Sequence, residues 1–368
     1  MDASLRVSLG RIIAQGLVPA TAALSPLDAV KNLAALQGQQ ASAIPWAIGV
    51  RCTGVSRARV EESFARGELV RSWPMRGTVH VTSARDHHWL RRLLRHRRAA
   101  WERQALSLGL TDALVERAAQ VACELLETSP LGVSRVELVE AWGRNGIDTV
   151  TASSSQEGLR RRHLIMRLHL DGVLTAGPVR AGEHLIVDAR SLPAAPGVAK
   201  GEPGHEEALA VLAARYAWGH GPIDAADLAR WTGLTLTEAR RALAGARVAG
   251  ESVGLPLAEC GGGLARADLA DLVEDYRVEA EAMHALPSFD ELHVGYKDRS
   301  CLTDEAGEAL ICPAKNGMFR PIVVEGGRVV AVRAPGREIV MVKGYESRQR
   351  PAARAFDDWE KWLSETQQ

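Results

Sequence analysis

The sequence predicts an α+β protein with three tandem winged helix-turn-helix units followed by a small C-terminal antiparallel sheet or β-barrel. A helix-turn-helix pattern recurs three times along the chain, twice with β-rich runs behind it. Residues 193–204 have the composition of a linker. Beyond about residue 285, glycine and proline become frequent between short β-rich runs. The predicted units cover residues 1–106, 107–192, 203–284 and 285–368.

The first unit begins with an amphipathic helix near residues 4–17. Ser25 as N-cap, Pro26 at the first helical position and Asp28 at the third predict the start of a second helix. The helical spacing of its apolar residues predicts that this helix continues into Gln37-Gly38-Gln39-Gln40. The later elements are a helix over 56–67, a strand, turn and strand over 70–82, and a basic helix over 84–105.

The second unit repeats this plan. Ser134 and Glu137 have the spacing of a capping box. The helix over 156–168 takes the place of a recognition helix, and two β-rich runs follow it as a wing.

The third and fourth units differ in predicted secondary structure. The third contains a helix over 205–217 and then a helix-turn-helix, with Gly233 in the turn and Thr235 as the second cap. The fourth has a closing helix with Trp359 and Trp362, preceded by β-rich runs at 322–324, 328–332 and 339–342.

Composition excludes several classes of protein. With 46 % apolar and 24 % charged residues among 368, the chain is expected to fold, and it has no apolar run long enough to span a membrane. The N-terminus lacks the features of a signal peptide, so we expect a cytoplasmic protein. The five cysteines form no C-x-x-C pair, and His80, His87, His88 and His96 lack metal-ligand spacing. No metal or cofactor is expected.

The net charge of zero conceals an asymmetry. Residues 1–180 carry 24 Lys and Arg against 16 Asp and Glu, a balance of +8, and the remainder carries 21 against 29, a balance of −8. A basic half favours a polyanionic partner. The alternative is a set of solvated arginine faces. The candidate phosphate contacts in the two basic helices are Arg91, Arg95, Arg160, Arg161, Arg162 and Arg167, with Arg97 and Arg98 in the first of them.

Gln37-Gly38-Gln39 is a candidate active site. In one continuous helix these two carboxamides would point about 200° apart. Gly38 can adopt a left-handed conformation and end the helix, which would let both turn into one cleft. A carboxamide orients a water but is not a strong base, so it suits a bond whose leaving group is already activated. The alternative is a helix end that caps its own carbonyls.

Polar residues lie beside aromatic ones at 289–300 and again at 316–321. Asn316-Gly317 is a strong hairpin-turn signal, so a hairpin with Lys315 and Asn316 at its tip is predicted to enter a minor groove. The alternative is a purely structural turn.

Four stretches together resemble one family, the winged-helix DNA-binding proteins that include the AlkZ-type DNA glycosylases and their AlkX/YcaQ relatives. The four stretches span nearly the whole chain in order and are Leu36-Gln37-Gly38-Gln39, Met75-Arg76-Gly77-Thr78-Val79-His80, Phe289-Asp290-Glu291 through Gly295–Ser300, and Asn316-Gly317-Met318-Phe319-Arg320-Pro321.

This resemblance implies a C-shaped molecule that cradles duplex DNA and excises N7-alkylated purines. In the AlkZ branch it also implies unhooking of interstrand crosslinks, as self-resistance in antibiotic producers. It implies that Gln37 and Gln39 are catalytic. Gly38 departs from the larger aliphatic residue usual between them, while Gln39 points to the AlkZ branch. The further DNA contacts predicted from these stretches are Arg76, His80, Lys297, Arg299, Lys315, Asn316 and Arg320.

Chemistry and resemblance agree on the substrate class. An N7-alkylguanine carries positive charge, so its weakened glycosidic bond releases a neutral base, and two amides that orient one water suffice. The expected enzyme is a monofunctional glycosylase, monomeric because no coiled-coil heptads are present, with damaged double-stranded DNA as its partner. The main alternative is a non-catalytic DNA-binding protein such as a transcriptional regulator. A small-molecule hydrolase would lack a nucleophile.

Overall fold

The computed structural model describes residues 1–95, 99–147, 149, 154–193, 195 and 197–365. The chain divides into two compact units. The split unit comprises residues 1–60 and 206–368, and the middle unit comprises residues 61–205.

The first segment of the split unit is mostly helical. The predicted cap of its second helix is confirmed, since the Ser25 hydroxyl accepts a hydrogen bond from the Asp28 amide at 3.1 Å and Pro26 is the first helical residue. The elements are α1 (Ala3–Ala14), α2 (Pro26–Asn32), β1 (Leu36–Gln37), α3 (Ile44–Gly49) and α4 (Arg57–Ala65), which continues into the middle unit.

The middle unit combines antiparallel strands with helices. Within this unit the strands lie in the order β3-β2-β4-β5, and Trp142 is fully buried among aliphatic side chains of the helices. The predicted capping box of Ser134 and Glu137 is confirmed. The elements are β2 (Leu69–Met75), β3 (Thr78–Ser83), α5 (Ala84–Leu94), α6 (Ala99–Ser107), α7 (Asp112–Glu127), α8 (Arg135–Arg144), α9 (Ser154–Leu170), β4 (Leu174–Arg180) and β5 (Glu183–Asp188).

The predicted basic helix over 84–105 falls on α5 and α6. Within this range, His96, Arg97 and Arg98 lie outside the described residues.

The second segment of the split unit begins with the predicted helix-turn-helix. Gly233 ends its first helix at φ 79°, and Thr235 opens the second with a capping box, as predicted. The elements are α10 (His205–His220), α11 (Ala225–Thr232), α12 (Leu236–Ser252), β6 (Leu257–Cys260), β7 (Gly263–Arg266), α13 (Leu269–Asp275), α14 (Arg277–Glu281), β8 (His284–Leu286), α15 (Glu291–Val294), α16 (Glu305–Ile311), β9 (Ile322–Glu325), β10 (Arg328–Arg333), β11 (Ile339–Met341) and α17 (Gln349–Ser364).

Tight hairpins in both units turn through two residues with positive φ. These pairs are Arg76-Gly77, Ala181-Gly182, Gly261-Gly262 and Gly326-Gly327. Two consecutive left-handed residues match the right-handed twist of the flanking strands, and glycine at the second position avoids the Cβ clash. Arg76 and Ala181 accept this conformation despite their side chains.

The predicted C-terminal β-barrel is wrong: the strands form an open antiparallel sheet in the order β11-β10-β9-β8. Both faces of this sheet are covered by helices. Ile322 and Val324 pack with residues of α1, whereas Val323 between them packs with Phe356 and Trp359 of α17. The strands of a sheet that is buried on both faces have continuous apolar sequences. Because helices cover both faces here, the sheet is buried without closing into a barrel.

Two stretches share one order of elements, in which three helices precede a hairpin. Helices α7, α8 and α9 precede β4-β5, and helices α10, α11 and α12 precede β6-β7. The three winged-helix units and the C-shaped arrangement stay predictions. None of the helices in the described part of the chain combines the length and apolarity of a membrane span.

Candidate active site

The segment that carries Gln37 and Gln39 leaves its helix early. Helix α2 ends at Asn32, and Ala34 adopts a left-handed φ of 60°. The predicted helix running into Gln37 is therefore wrong. The reason is burial: the four consecutive residues 33–36 are each at most 1 % exposed, and one face of a surface helix cannot bury four in a row.

The extended start of this segment changes the geometry of the motif. Leu36 and Gln37 form β1. Residues two apart lie on the same side of an extended chain, whereas in a helix they diverge by about 200°. Gln37 and Gln39 are half-buried and Gly38 between them is buried. The spacing of two is thus compatible with convergence of the carboxamides without a helix end at Gly38.

Glu291 anchors the backbone of this segment. Its carboxylate is 1 % exposed, and its Oε2 accepts a hydrogen bond from the Gln37 peptide N–H at 2.9 Å. Oε1 accepts from the Trp231 indole N–H at 2.7 Å and from His220 Nε2 at 3.2 Å. Asp290 places Glu291 here, since it caps the short helix α15 by accepting from the Leu292 amide at 2.9 Å.

A buried ion pair lies on the adjacent residue. Arg51 donates to both oxygens of Asp290 at 2.9 and 2.8 Å, and to Gln15 Oε1 at 2.8 Å. Gln15 in turn donates to the Tyr296 hydroxyl, which donates to the His220 carbonyl. Burial by itself would lower the pKa of Arg51, but the neighbouring acidic groups, Asp290 foremost and then Glu291, together outweigh it and the pKa is raised. Arg51 therefore stays charged inside the unit.

A second guanidinium supports the other end of the 289–300 stretch. Arg11 donates to Asp227 at 3.0 Å and to the Asp298 carbonyl at 2.8 Å, and lies 3.7 Å from the centre of the Tyr296 ring. Asp227 also accepts from the Lys297 amide at 2.7 Å. The backbone of this stretch is thus tied to buried charges at several points.

The predicted DNA contacts of the split unit lie on loops around this network. Lys297 and Lys315 are exposed, and Arg299 pairs with Glu308 at 3.2 Å. Arg299, Lys315, Glu308 and Phe319 together line a cavity of about 380 Å³. Arg320 donates to the Leu310 carbonyl at 3.3 Å. The structure thus brings Arg299 and Lys315 to one cavity.

The predicted hairpin with Lys315 and Asn316 at its tip is wrong. These residues lie in a loop between α16 and β9, in which Asn316 Oδ1 accepts from the Met318 amide at 3.0 Å. Asp304 accepts from the Gly307 amide and caps α16, so the residues before the turn are helical rather than extended. Asn-Gly makes the turn, with Gly317 at φ 77°, but it joins a helix to a strand.

The predicted DNA contacts of the middle unit differ in the partners that they already have within the protein. Arg76 stands at the β2-β3 turn and lies 3.4 Å from Nε2 of the buried His80. Arg162 is exposed and Arg160 is half-buried on α9. Four further arginines also have partners inside the unit: Arg91 (Leu170 carbonyl, 3.0 Å), Arg95 (Asp171, 2.9 Å), Arg161 (Glu157, 4.0 Å) and Arg167 (Asp171, 2.6 Å, and Asp112, 3.1 Å).

Sequence reasoning missed the supporting residues. Glu291, His220, Trp231 and Arg51 were not predicted as site residues, although Glu291 belongs to a stretch noted for its polar groups beside aromatics. Glu291 contacts a residue 254 positions away, and no local pattern carries that pairing. In the described part of the chain, no group of three or more His, Cys, Asp or Glu side chains could hold a metal ion.

Comparison with known proteins identifies the class. The fold matches a solved structure, the Streptomyces sahachiroi DNA glycosylase AlkZ, with a TM-score of 0.65 and 22 % identity over 96 % of this chain and 97 % of that one. The two chains therefore share a fold. A sequence model described as DNA glycosylase AlkZ-like matches residues 30–352, so the chain belongs to the AlkZ-like DNA glycosylase family. No curated protein sequence matches it.

Proposed function

We propose that this glycosylase hydrolyses the N-glycosidic bond of N7-alkylated purines in duplex DNA, with Gln37 and Gln39 holding the attacking water. The observation that carries the proposal is the anchoring of Gln37, since its peptide N–H is bound by the buried carboxylate of Glu291. A family match that spans both this segment and residues 289–321 supports it.

The chemistry of the two side chains selects the substrate. Carboxamides donate and accept hydrogen bonds but have no useful pKa, so they can hold a water without deprotonating it strongly. Hydrolysis of an N7-alkylated purine needs little more than an oriented water, because the positive charge of the base weakens the glycosidic bond and the base leaves as a neutral group. The sugar then develops oxocarbenium character, which the DNA phosphates stabilise. Unmodified bases lack this activation, so their glycosidic bonds stay intact.

The reaction is monofunctional in this proposal. A bifunctional lyase attacks the sugar with an amine, usually that of a lysine, and the chain has only six lysines, at 31, 200, 297, 315, 343 and 361. Lys297 lies on the stretch that follows Glu291, but its side chain is exposed while its peptide N–H is held by Asp227. We therefore assign Lys297 and Lys315 to DNA binding, together with Arg76, Arg162 and Arg299.

Crosslinks of N7-alkylated guanines on both strands contain the same activated bond. We extend the proposal to unhooking of such crosslinks, which would serve self-resistance to a genotoxic natural product. The enzyme is proposed to act as a monomer on double-stranded DNA.

The test is base release from a duplex that carries a single N7-methylguanine. The wild type is expected to release the base, and Gln37→Ala/Gln39→Ala is expected to bind the duplex with similar affinity without releasing it. Release by the double variant would overturn the catalytic assignment. Duplex binding without release by the wild type, on methylated and crosslinked DNA alike, would instead support a protein that only binds DNA.

A further inference from the structure

The carboxylate of Glu291 is surrounded by hydrogen-bond donors. The Gln37 peptide N–H reaches Oε2, and the Trp231 indole N–H and His220 Nε2 reach Oε1. A peptide N–H and an indole N–H can only donate. Both oxygens of Glu291 must therefore accept, which an ionised carboxylate does and which the NH₂ group of a carboxamide cannot do.

The position of this carboxylate is set from several sides. Trp231 is fully buried and stacks on Tyr216, with ring centroids 4.7 Å apart. The Tyr216 hydroxyl donates to the Gly295 carbonyl at 2.6 Å. A Cβ on Gly295 would lie 3.1 Å from Glu291 Oε1 and 2.6 Å from its carbonyl oxygen, so glycine is what lets the chain close around this side chain. Glu291 thus reaches Gln37 from a rigid base.

The segment that receives this bond has little intrinsic rigidity at its centre. Gly38 has no Cβ, and glycine has access to more backbone conformations than any other residue. A hydrogen bond to a fully buried carboxylate limits the conformations of the neighbouring Gln37 directly. Bonds in which one partner is charged are roughly twice as strong as neutral ones, and burial strengthens them further.

We propose that Glu291 is a positioning residue for base release: its carboxylate holds the peptide N–H of Gln37 and thereby sets where the Gln37 carboxamide meets the water. This inference rests on the proposed function of Gln37. Glu291 acts through Gln37 and takes no proton from the substrate or the water.

The test compares two Glu→Gln substitutions. In Glu291→Gln, an NH₂ group must face one of the donor N–H groups, and the contact with Gln37 or with Trp231 is lost. Glu360→Gln is the matched control, because Glu360 also accepts from two donors, one at each oxygen (Arg333 and Arg337), and also lies in the split unit. Single-turnover base release at saturating enzyme is measured beside duplex affinity and the melting temperature.

We expect Glu291→Gln to slow the single-turnover rate roughly 10- to 100-fold, since a displacement of about 1 Å costs up to about 100-fold. Duplex affinity should be unchanged, and Glu360→Gln should release base at the wild-type rate. A purely structural Glu291 would lower the melting temperature alone, and the molecules still folded below it would react at the wild-type rate. That result would overturn the inference.

A second variant and a second readout cover the case in which Glu291→Gln folds poorly. Glu291→Asp keeps the charge but is one methylene shorter, so it cannot reach Gln37 and Trp231 together. Hydrogen exchange of the Gln37 amide, followed on a peptide covering residues 33–40, reports the contact itself. We expect Glu291→Asp to lose amide protection and rate together. Loss of protection at full rate would overturn the inference, whereas an inactive wild type would overturn the proposed function as well.

Discussion

The two units bury their polar side chains in different chemical states. The split unit encloses charges in pairs: Arg51 with Asp290 at 2.8 Å, and Arg11 with Asp227 at 3.0 Å, all at most 9 % exposed. Buried imidazoles are more numerous in the middle unit, where they include His87, His169 and His184, than in the split unit, which buries His220 and His293.

Burial lowers the pKa of each of these three histidines, to about 3 for His169, to about 4 for His184 and well below its ordinary value for His87. They are neutral at physiological pH. In the part of the chain that the structure describes, neither ring nitrogen of His87 has a hydrogen-bond partner.

This difference shows what each interior is built to do. Paired buried charges add little net stability, because desolvation offsets their attraction, but they tolerate only one arrangement. In the split unit that arrangement holds the 289–300 stretch, and through Glu291 it holds Gln37. Neutral imidazoles cost less to bury, but they penalise folding once the solution becomes acidic. The comparison predicts separate weaknesses for the two units.

The largest effect is expected from removing one member of a buried pair. Arg51→Met leaves the Asp290 carboxylate buried without its cation and should cost about 3–5 kcal/mol of unfolding free energy. Arg92→Met is the matched control in the middle unit, because Arg92 pairs with Glu202 while both side chains are more than 40 % exposed. It should cost at most about 1 kcal/mol. Urea unfolding of both variants measures the difference, and equal losses would contradict the comparison.

Mild acid should weaken the middle unit next. Below the ordinary histidine pKa of 6.5, these histidines bind protons in the unfolded chain. In the folded chain the pKa is about 4 for His184 and about 3 for His169, so both stay neutral until the solution is much more acidic. Stability is therefore full above about pH 6.5 and falls on acidification, by roughly 1 kcal/mol per pH unit for each histidine.

The control is His184→Gln, which keeps a donor for the Gly177 carbonyl now bound at 2.9 Å by Nδ1. Unfolding free energies between about pH 7 and pH 5 should show a shallower slope for this variant, by roughly 1 kcal/mol per pH unit. This range lies above the ordinary pKa values of carboxyl groups, so histidines dominate it. An unchanged slope would mean that the pKa of His184 is the same in the folded and the unfolded state.

A smaller effect is expected where two backbones approach closely in the split unit. A Cβ on Gly219 of α10 would lie 2.0 Å from the Asn32 carbonyl oxygen, at the end of α2. Gly219→Ala should therefore cost about 1–3 kcal/mol and slow base release, because it pushes on the segment that leads to Gln37. Gly158→Ala is the contrasting change, since nothing lies within 4 Å of its Cβ on α9. It should stabilise the middle unit by about 0.5–1 kcal/mol. Melting temperatures of both variants check the opposite signs.

The parts of the fold that the sequence predicts correctly are those set by interactions between residues close together in the chain. The caps at Ser25, Ser134 and Thr235 depend on residues three apart, and all three lie where they were predicted. The Asn316-Gly317 turn was predicted, but its hairpin was not formed, because Asp304 starts a helix upstream.

The site itself depends on contacts that no local pattern carries. The apolar residues from Leu33 to Leu36 have a helical spacing with those before them, yet all four are buried, and burial took precedence over periodicity. Glu291 is polar and lies in the core, where sequence patterns place apolar residues. Its role follows only from its partners, of which Gln37 and Trp231 come from distant parts of the chain.

The smallest effect concerns two arginines of α9, both predicted to contact DNA. Arg162 is exposed, whereas Arg167 already binds the carboxylates of Asp171 and Asp112, so a phosphate would have to displace them. Arg162→Ala should reduce the slope of log Kobs against log salt concentration by about 1 and weaken binding uniformly across sequences. Arg167→Ala should leave the slope unchanged and lower only the stability of the middle unit. A larger change in slope for Arg167→Ala would show that DNA outcompetes both carboxylates, and that the ion pairs of this unit open on binding.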